Sequence, residues 1–408
     1  MKNKLSGSIA VAVFAALTAL ISLQAQEVKI LHRDVQIHGV ASQGLFYSNN
    51  NNYLTMDTSD GNAQFTEYAV NASTQISDKF RIGAQTYTHK VGNLGSWTPT
   101  LDWAVADYRF KSWLGIRGGK VKTTLGLFND TQDMEFLHPW VLLPQAVYPV
   151  DLRGENIAHE GGDLYGRIGV KKLGRFDYTF YGGRLPGDMK GGYVYAIANA
   201  TTGIDSYSGT GFGADLRWTT PVKGLLVGSS FIAKDLTTLG TTYQPTVSGL
   251  YAKYTVADHT TGFYTEYTRG NFTFDGEYRR QQRETSTWTI HSDGKPYSFF
   301  NDTDSRYGYV SADYRFTRWL DVGAYNSRFI ANWGTQHGIL TNHVYDQAIT
   351  ARFDLSKNVD LKIEGHFMDG NGGTKVDRGF YPADNGGGKT GNYNPSTNML
   401  AIRAGYHF

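Results

Sequence analysis

Cysteine is absent from all 408 residues, which rules out disulfide staples, thiol catalysis and Cys-metal sites. Proline is scarce, at 10, and no apolar run after residue 25 is long enough to cross a bilayer as a helix. A mean hydropathy of −0.39 agrees with that. An excess of one charge sign is also lacking. With 39 basic against 37 acidic residues there is no basic field of the kind a nucleic-acid partner requires.

Glycine and aromatic residues are plentiful: 48 Gly, 27 Tyr, 22 Phe and 8 Trp, so that 14% of the chain is aromatic while 19% is charged. This mix suits strands, turns and an interfacial aromatic girdle. A chain of 408 residues would ordinarily divide into soluble domains, but all-β barrels are an exception to that arithmetic. A transmembrane barrel also escapes hydropathy, because only every second residue meets lipid.

Residues 1–25 read as an export signal. Lys2 and Lys4 form a basic start, Ile9 to Leu23 an apolar stretch, and Leu23-Gln24-Ala25 a cleavage site. The alternative, an uncleaved anchor, asks a short run to span a membrane. Removing the two lysines with this segment leaves 37 basic against 37 acidic residues in 26–408, read as one barrel domain. Any preference for ion sign must then come from where the charges sit.

The strongest pattern is alternation with period two. Val359, Leu361, Ile363, Gly365 and Phe367 face one way, and Asp360, Lys362, Glu364, His366 and Met368 the other. A soluble sheet alternates too, but here the polar face is heavily charged and the pattern recurs along the chain. Apolar outward and polar inward is the rule of a water-filled barrel.

Seven tight turns can be placed, at 77–79, 111–113, 171–174, 221–224, 269–271, 317–319 and 356–358. Seven hairpins, a first strand near Val35 to Tyr47 and a last near Met399 to Phe408 give sixteen strands. Fourteen or eighteen stay open, because Thr246 to Val256 reads as an extra strand or as part of a long loop. The fold expected is thus an all-β, transmembrane, antiparallel up-and-down barrel. Its last strand would carry Leu400, Ile402, Ala404, Tyr406 and the terminal Phe408 on one face and close against the first.

One motif recurs before three turns: Ala106 to Phe110, Ala214 to Trp218 and Ala312 to Phe316, each Ala-Asp-Tyr/Leu-Arg-Phe/Trp. On a strand its Asp and Arg share the inner face, as a rim network or as a permeation site, and its last ring sits at the girdle.

Long loops are expected to begin near Ser48, Val91, Asn129, Leu185, Asp235, Gln282, Asn332 and Asp369. The third, 129–162, combines Phe136, Leu137, Trp140, Leu142 and Leu143 with the acids Asp130, Asp133, Glu135, Asp151, Glu155 and Glu160. A solvent-exposed loop has little reason to hold such an apolar set, so the loop is read as folding into the barrel; packing against a neighbouring subunit is the alternative. Inside, it would narrow the pore and set its acids opposite wall bases, creating a transverse field. Bases expected to face the lumen at mid-height are Arg167, Arg279, Arg352, Lys362 and Arg403. A charge facing lipid there would cost about 2 to 4 kcal/mol.

From Gly115 to Leu127 the alternation slips, because Ile116 and Val121 cannot both face lipid in one register; a bulge at Gly118-Gly119 would reconcile them. Arg117, Lys120 and Lys122 are further basic candidates for the pore wall. A phosphate-binding glycine loop is excluded, since the Gly-Lys-Ser/Thr spacing is missing.

The segment Arg117 to Asn129, with Gly-Lys-x-Lys-Thr and then Gly-Leu before the long loop, resembles the phosphate-selective porin family and its uncharacterised relatives. Lys362 to Gly370 resembles their penultimate strand. The resemblance implies a trimeric channel for small solutes, some members favouring anions, in the outer membrane of a Gram-negative-type cell. Its surroundings would be lipid and lipopolysaccharide, with no cofactor, metal or nucleic acid. Where relatives often carry proline after Lys-Thr this chain has Thr124, and it shows no ladder of arginines for phosphate. Two other classes compete: an outer-membrane hydrolase using a histidine such as His159, His337 or His343, and a structural or adhesive barrel. No spacing among the 11 histidines marks a nucleophile or a metal site, so no enzyme is expected.

Overall fold

The computed structural model describes residues 26–30, 33–198, 202–244, 247–290, 296–372, 378–386 and 392–408; the expected export signal lies outside them. Sixteen antiparallel strands close into one barrel. They are β1 (Arg33–Ser48), β2 (Asn62–Ser77), β3 (Phe80–Val91), β4 (Thr100–Lys111), β5 (Leu114–Lys122), β6 (Ala158–Val170), β7 (Gly174–Pro186) and β8 (Thr202–Thr219). The second half is β9 (Leu225–Gln244), β10 (Val247–Arg269), β11 (Phe272–Ile290), β12 (Pro296–Arg315), β13 (Leu320–Ile330), β14 (His343–Asp354), β15 (Val359–Gly370) and β16 (Ser396–His407). Two short strands, Gln26–Ile30 and Leu94–Gly95, pair onto β1 and β3 outside this ring.

Alternation builds the wall. On β15, Asp360, Lys362, Glu364, His366 and Met368 are buried inside, while Ile363 and Phe367 are exposed on the outer surface. All seven expected turns join strands on one side of the barrel. Gly224 and Gly270 adopt positive φ there, and at Gly224 a Cβ would stand 1.9 Å from the Thr268 carbonyl oxygen. The seam pairs β16 with β1 from Met399 opposite Ser48 to His407 opposite Val40. It ends with Phe408 and Gly39 exchanging backbone hydrogen bonds of 3.0 and 3.1 Å. Closure removes both sheet edges.

Two expected loops are corrected. The fifth and sixth do not begin near Asp235 and Gln282, since β8 to β12 run for 18, 20, 23, 19 and 20 residues. About 10 residues cross a bilayer, so these strands project well beyond it. Thr246 lies outside the described residues; from Val247 to Val256 the chain is part of β10, neither an extra strand nor a loop. Val, Tyr and Thr make up half of the segment and favour extended pairing, and Gly249 does not interrupt the ladder, which pairs Val247 with Gln244 and Leu250 with Thr242.

The register also runs through Gly118 and Gly119 without a bulge, although Gly119 has φ +127°. Ile116 faces outward at 43% exposure and Val121 inward at 2%. Val121 has no need of lipid because protein fills the interior beside it. A cluster inside the barrel joins Tyr53, Leu54, Val141, Leu142, Tyr148 and Phe380 from three loops to wall residues such as Phe65, Tyr307 and Phe329.

Candidate permeation pathway

The third loop leaves the wall after Lys122 and returns at Ala158, earlier at both ends than expected, so that Glu160 belongs to β6. It crosses the lumen, fastened at each place it meets the wall. On the first side, Gly126 donates to Ser230 Oγ at 2.9 Å and accepts from Arg217 at 2.7 Å. Leu127 N donates to Glu277 at 3.3 Å, and the Tyr148 hydroxyl donates to the same carboxylate. On the far side, Val141 N and Leu142 N both donate to Glu364, at 3.0 and 3.1 Å. Trp140 packs edge-on against Tyr325 at 5.1 Å.

The expected wall bases fall into two groups. Arg279, Arg352, Lys362 and Arg403 are inside and buried, and each is bonded to the loop. Arg279 donates to the Leu125 carbonyl at 3.1 Å and to Glu277 at 2.6 Å. Arg352 donates to the Phe136 and His138 carbonyls at 2.5 and 3.2 Å. Lys362 reaches Glu135 at 2.7 Å, and Arg403 holds the Val141 carbonyl at 3.3 Å while pairing with Glu67. These bases therefore fix the loop in place rather than facing it across a gap. Arg167 faces inward but pairs with Asp177 at 2.6 Å beside the 171–173 turn, not at mid-height.

Arg117 pairs with Asp163 at 2.6 Å, and Lys122 with Asp133 at 2.6 Å. Lys120 donates through Nζ to the Leu101 carbonyl at 2.6 Å and lines a cavity of about 170 Å³ together with Asp102, Asp151 and Arg153. Among the loop acids, Asp133 and Glu135 pair with bases as above, and Asp151 accepts from Tyr381 at 2.6 Å. Oδ1 of Asp130 and Oε1 of Glu155 are buried without a partner. Burial would raise Glu135, but Lys362 and Arg403 beside it hold its carboxyl at about 2. Burial pushes Glu155 up to about 8, against the pull of Lys234 and Arg283.

Cavities lie on both sides of the loop. Toward the long loops, a space of about 60 Å³ is lined by Glu155, Lys234, Asp258, Arg279, Arg283 and Arg378. Toward the short turns, a vestibule of about 370 Å³ is lined by His138, Glu266, Asp275, Asp313, Asp321 and Arg315, among others. The inward side of β11 marks the axis between them: Asp275 lines the vestibule and Arg279 the upper space. Glu277 lies between those two on the same strand face, bonded to Tyr148. The junction of Arg279, Glu277 and Tyr148 therefore separates the two cavities.

The inward acids Glu67, Asp102, Glu277 and Glu364 join the candidates here, and two of them, Glu277 and Glu364, sit two residues from Arg279 and Lys362 on the same strand face. The alternation that placed Lys362 inside places Glu364 inside as well. In the recurring motif, Asp215 accepts from Ser230 at 2.6 Å and Arg217 holds loop carbonyl 126, which makes the second copy a loop anchor. His159 bridges Thr123 at 3.1 Å and Asp163 at 2.9 Å, an arrangement of nucleophile type, but all three are buried at 5% exposure or less, without access for a substrate.

No family model matches the chain, and no curated protein matches it significantly. Among solved structures it is similar to the anion-selective porin from Comamonas acidovorans, with TM-score 0.55 and 10% identity over 92% of this chain and 100% of that one. It is similar to the outer membrane channel DcaP of Acinetobacter baumannii, with TM-score 0.54 and 11% identity over 95% and 100%. A third match is OmpT of Vibrio cholerae in its trimer form, with TM-score 0.51 and 12% identity over 92% and 99%. At these identities the likeness establishes the fold: a closed barrel of the kind found in outer-membrane porins.

Proposed function

We propose that this chain is an outer-membrane porin, a passive channel through which small hydrophilic solutes or ions diffuse down their gradients. The observation carrying the reading is a charged interior with cavities above and below a loop that spans it, meeting at the Arg279–Glu277–Tyr148 junction. A barrel serving only adhesion has no use for the space, about 60 and about 370 Å³, left open on the two sides of the loop. The outward apolar side chains would contact lipid and lipopolysaccharide, with the long loops outside the cell, the short turns in the periplasm, and residues 1–25 removed on export. The family resemblance and the trimer form of the similar Vibrio protein support a homotrimer. The reading stops at small solutes and ions without selecting phosphate. Arg117 and Lys122, which carry the narrower resemblance, are each engaged by a carboxylate.

Proteoliposomes holding the purified protein should swell in isotonic sugars, faster for smaller sugars. Swelling no faster than in empty vesicles would contradict the channel. Ion preference should depend on pH. With its carboxyl near 8, Glu155 is neutral at pH 6 and gains a negative charge as pH rises toward 9. The reversal potential under a salt gradient should therefore move toward cations over that interval, and Glu155→Gln should flatten the change. An equal shift in the variant would remove Glu155 from the pathway.

A further inference from the structure

The vestibule on the short-turn side is lined by more acids, Glu266, Asp275, Asp313 and Asp321, than bases, Arg315 and Arg352. Glu266 and Asp275 are directly opposite across β10 and β11, and Asp313 stands opposite Thr273 on the next strand, all facing inward. Like charges directly opposite on a sheet repel. Among the described residues no cation is paired with Glu266, Asp275 or Asp313. Arg315 is shared between Asp354 at 2.9 Å and Asp321 at 3.6 Å, and Arg352 is held by Asp354 at 2.7 Å and by loop carbonyls.

Three buried acceptors on the walls of this cavity lack partners. Oδ1 of Asp275 and Oδ1 of Asp321 make no hydrogen bond, and these residues are 4% and 7% exposed. From the loop, Nε2 of His138 is also unpartnered, in a residue 7% exposed. The imidazole is neutral, because burial, reinforced by Lys362, pushes it down to about 3, and it hydrogen-bonds the Thr131 backbone. That leaves Nε2 as a lone-pair acceptor. Buried polar atoms are normally satisfied, so acceptors left open around a common space indicate what is missing. No group of three His, Cys, Asp or Glu side chains among the described residues is arranged to hold a metal.

We infer that the vestibule is a binding site for small organic cations bearing N–H donors, alkyl diammonium ions above all, entering from the periplasmic side. Ammonium hydrogens would reach Asp275, Asp321 and His138, while the second charge would offset part of the negative charge of Glu266 and Asp313. About 370 Å³ accommodates a short diamine with its water. The inference rests on the channel reading, since occupancy is expected to obstruct the route to the junction.

The test is single-channel recording of the full barrel in planar bilayers with 1,4-diaminobutane added to one chamber at a time. Control recordings use 1,4-bis(trimethylammonio)butane, which has the same charge and spacing but no N–H. Diaminobutane should block from the short-turn side at lower concentration than from the other side, and the methylated analogue should block weakly. Asp275→Asn with Asp321→Asn should raise the half-blocking concentration at least about tenfold, as expected for losing charge-assisted hydrogen bonds. Equal block by both dications, or block unchanged in the double variant, would overturn the site while leaving the channel intact. Absence of any conductance would overturn the channel reading itself. Calorimetric titration of the detergent-solubilised barrel with diaminobutane then decides the site separately: saturable binding lost in the double variant supports it, and no binding overturns it.

Discussion

Replacing Glu277 and Arg279 together by alanine should raise single-channel conductance by about twofold or more, because the pore's narrowest junction controls its resistance. Glu277 accepts from Leu127 N and from the Tyr148 hydroxyl, and Arg279 holds the Leu125 carbonyl. The two changes belong together. Removing one partner of a buried pair leaves the other uncompensated, at about 3 to 5 kcal/mol, and would confuse instability with opening. The far side of the loop stays fastened through Glu364 and Lys362, and Gly126 through Ser230 and Arg217, so the loop keeps its course while the side chains that fill the junction are gone. Unchanged conductance in a folded double variant would show that ions take another route.

A second large effect is expected on stability. Lys362 is fully buried and reaches both the Glu135 side chain, at 2.7 Å, and the Glu135 carbonyl, at 2.5 Å. Lys362→Met leaves Glu135 charged and buried, so the barrel should lose about 3 to 5 kcal/mol in reversible urea unfolding. Adding Glu135→Gln should recover part of that loss, because it removes one of the two buried carboxylates that Lys362 meets, the other being Asp360 at 3.7 Å. If Lys362→Met alone unfolds at the wild-type midpoint, the pair contributes nothing and the loop is held by its apolar packing.

The wall was legible in the sequence because its physics is local. Alternation such as Val359 to Met368 depends only on which face meets lipid, and turns such as Arg269-Gly270-Asn271 name themselves by composition. How far pairing continues past the membrane is a different matter. Residues 236–244 carry no apolar period of two, with Leu236 and Leu239 three apart among threonines and a glycine, so sequence alone reads the projecting half of β9 as a loop, and only its pairing with β10 shows the strand continuing. The infolding of the third loop was readable from Trp140, Leu142 and Leu143, which have no place in water. Its route was not. Which wall residue meets which loop carbonyl depends on the path of the loop through three dimensions, and so the partners of Arg279 and Arg352 emerged only with the fold. The inward acids were within reach, since Glu277 and Glu364 lie two residues from Arg279 and Lys362 on the same face.

Wild-type single channels recorded in planar bilayers at high salt show whether a wet and restricted route runs past the third loop. Uniform steps are expected that shrink when a non-electrolyte small enough to enter the vestibule is added, and that stay unchanged with one too large to enter. A barrel confirmed as folded that inserts and gives no steps would contradict it.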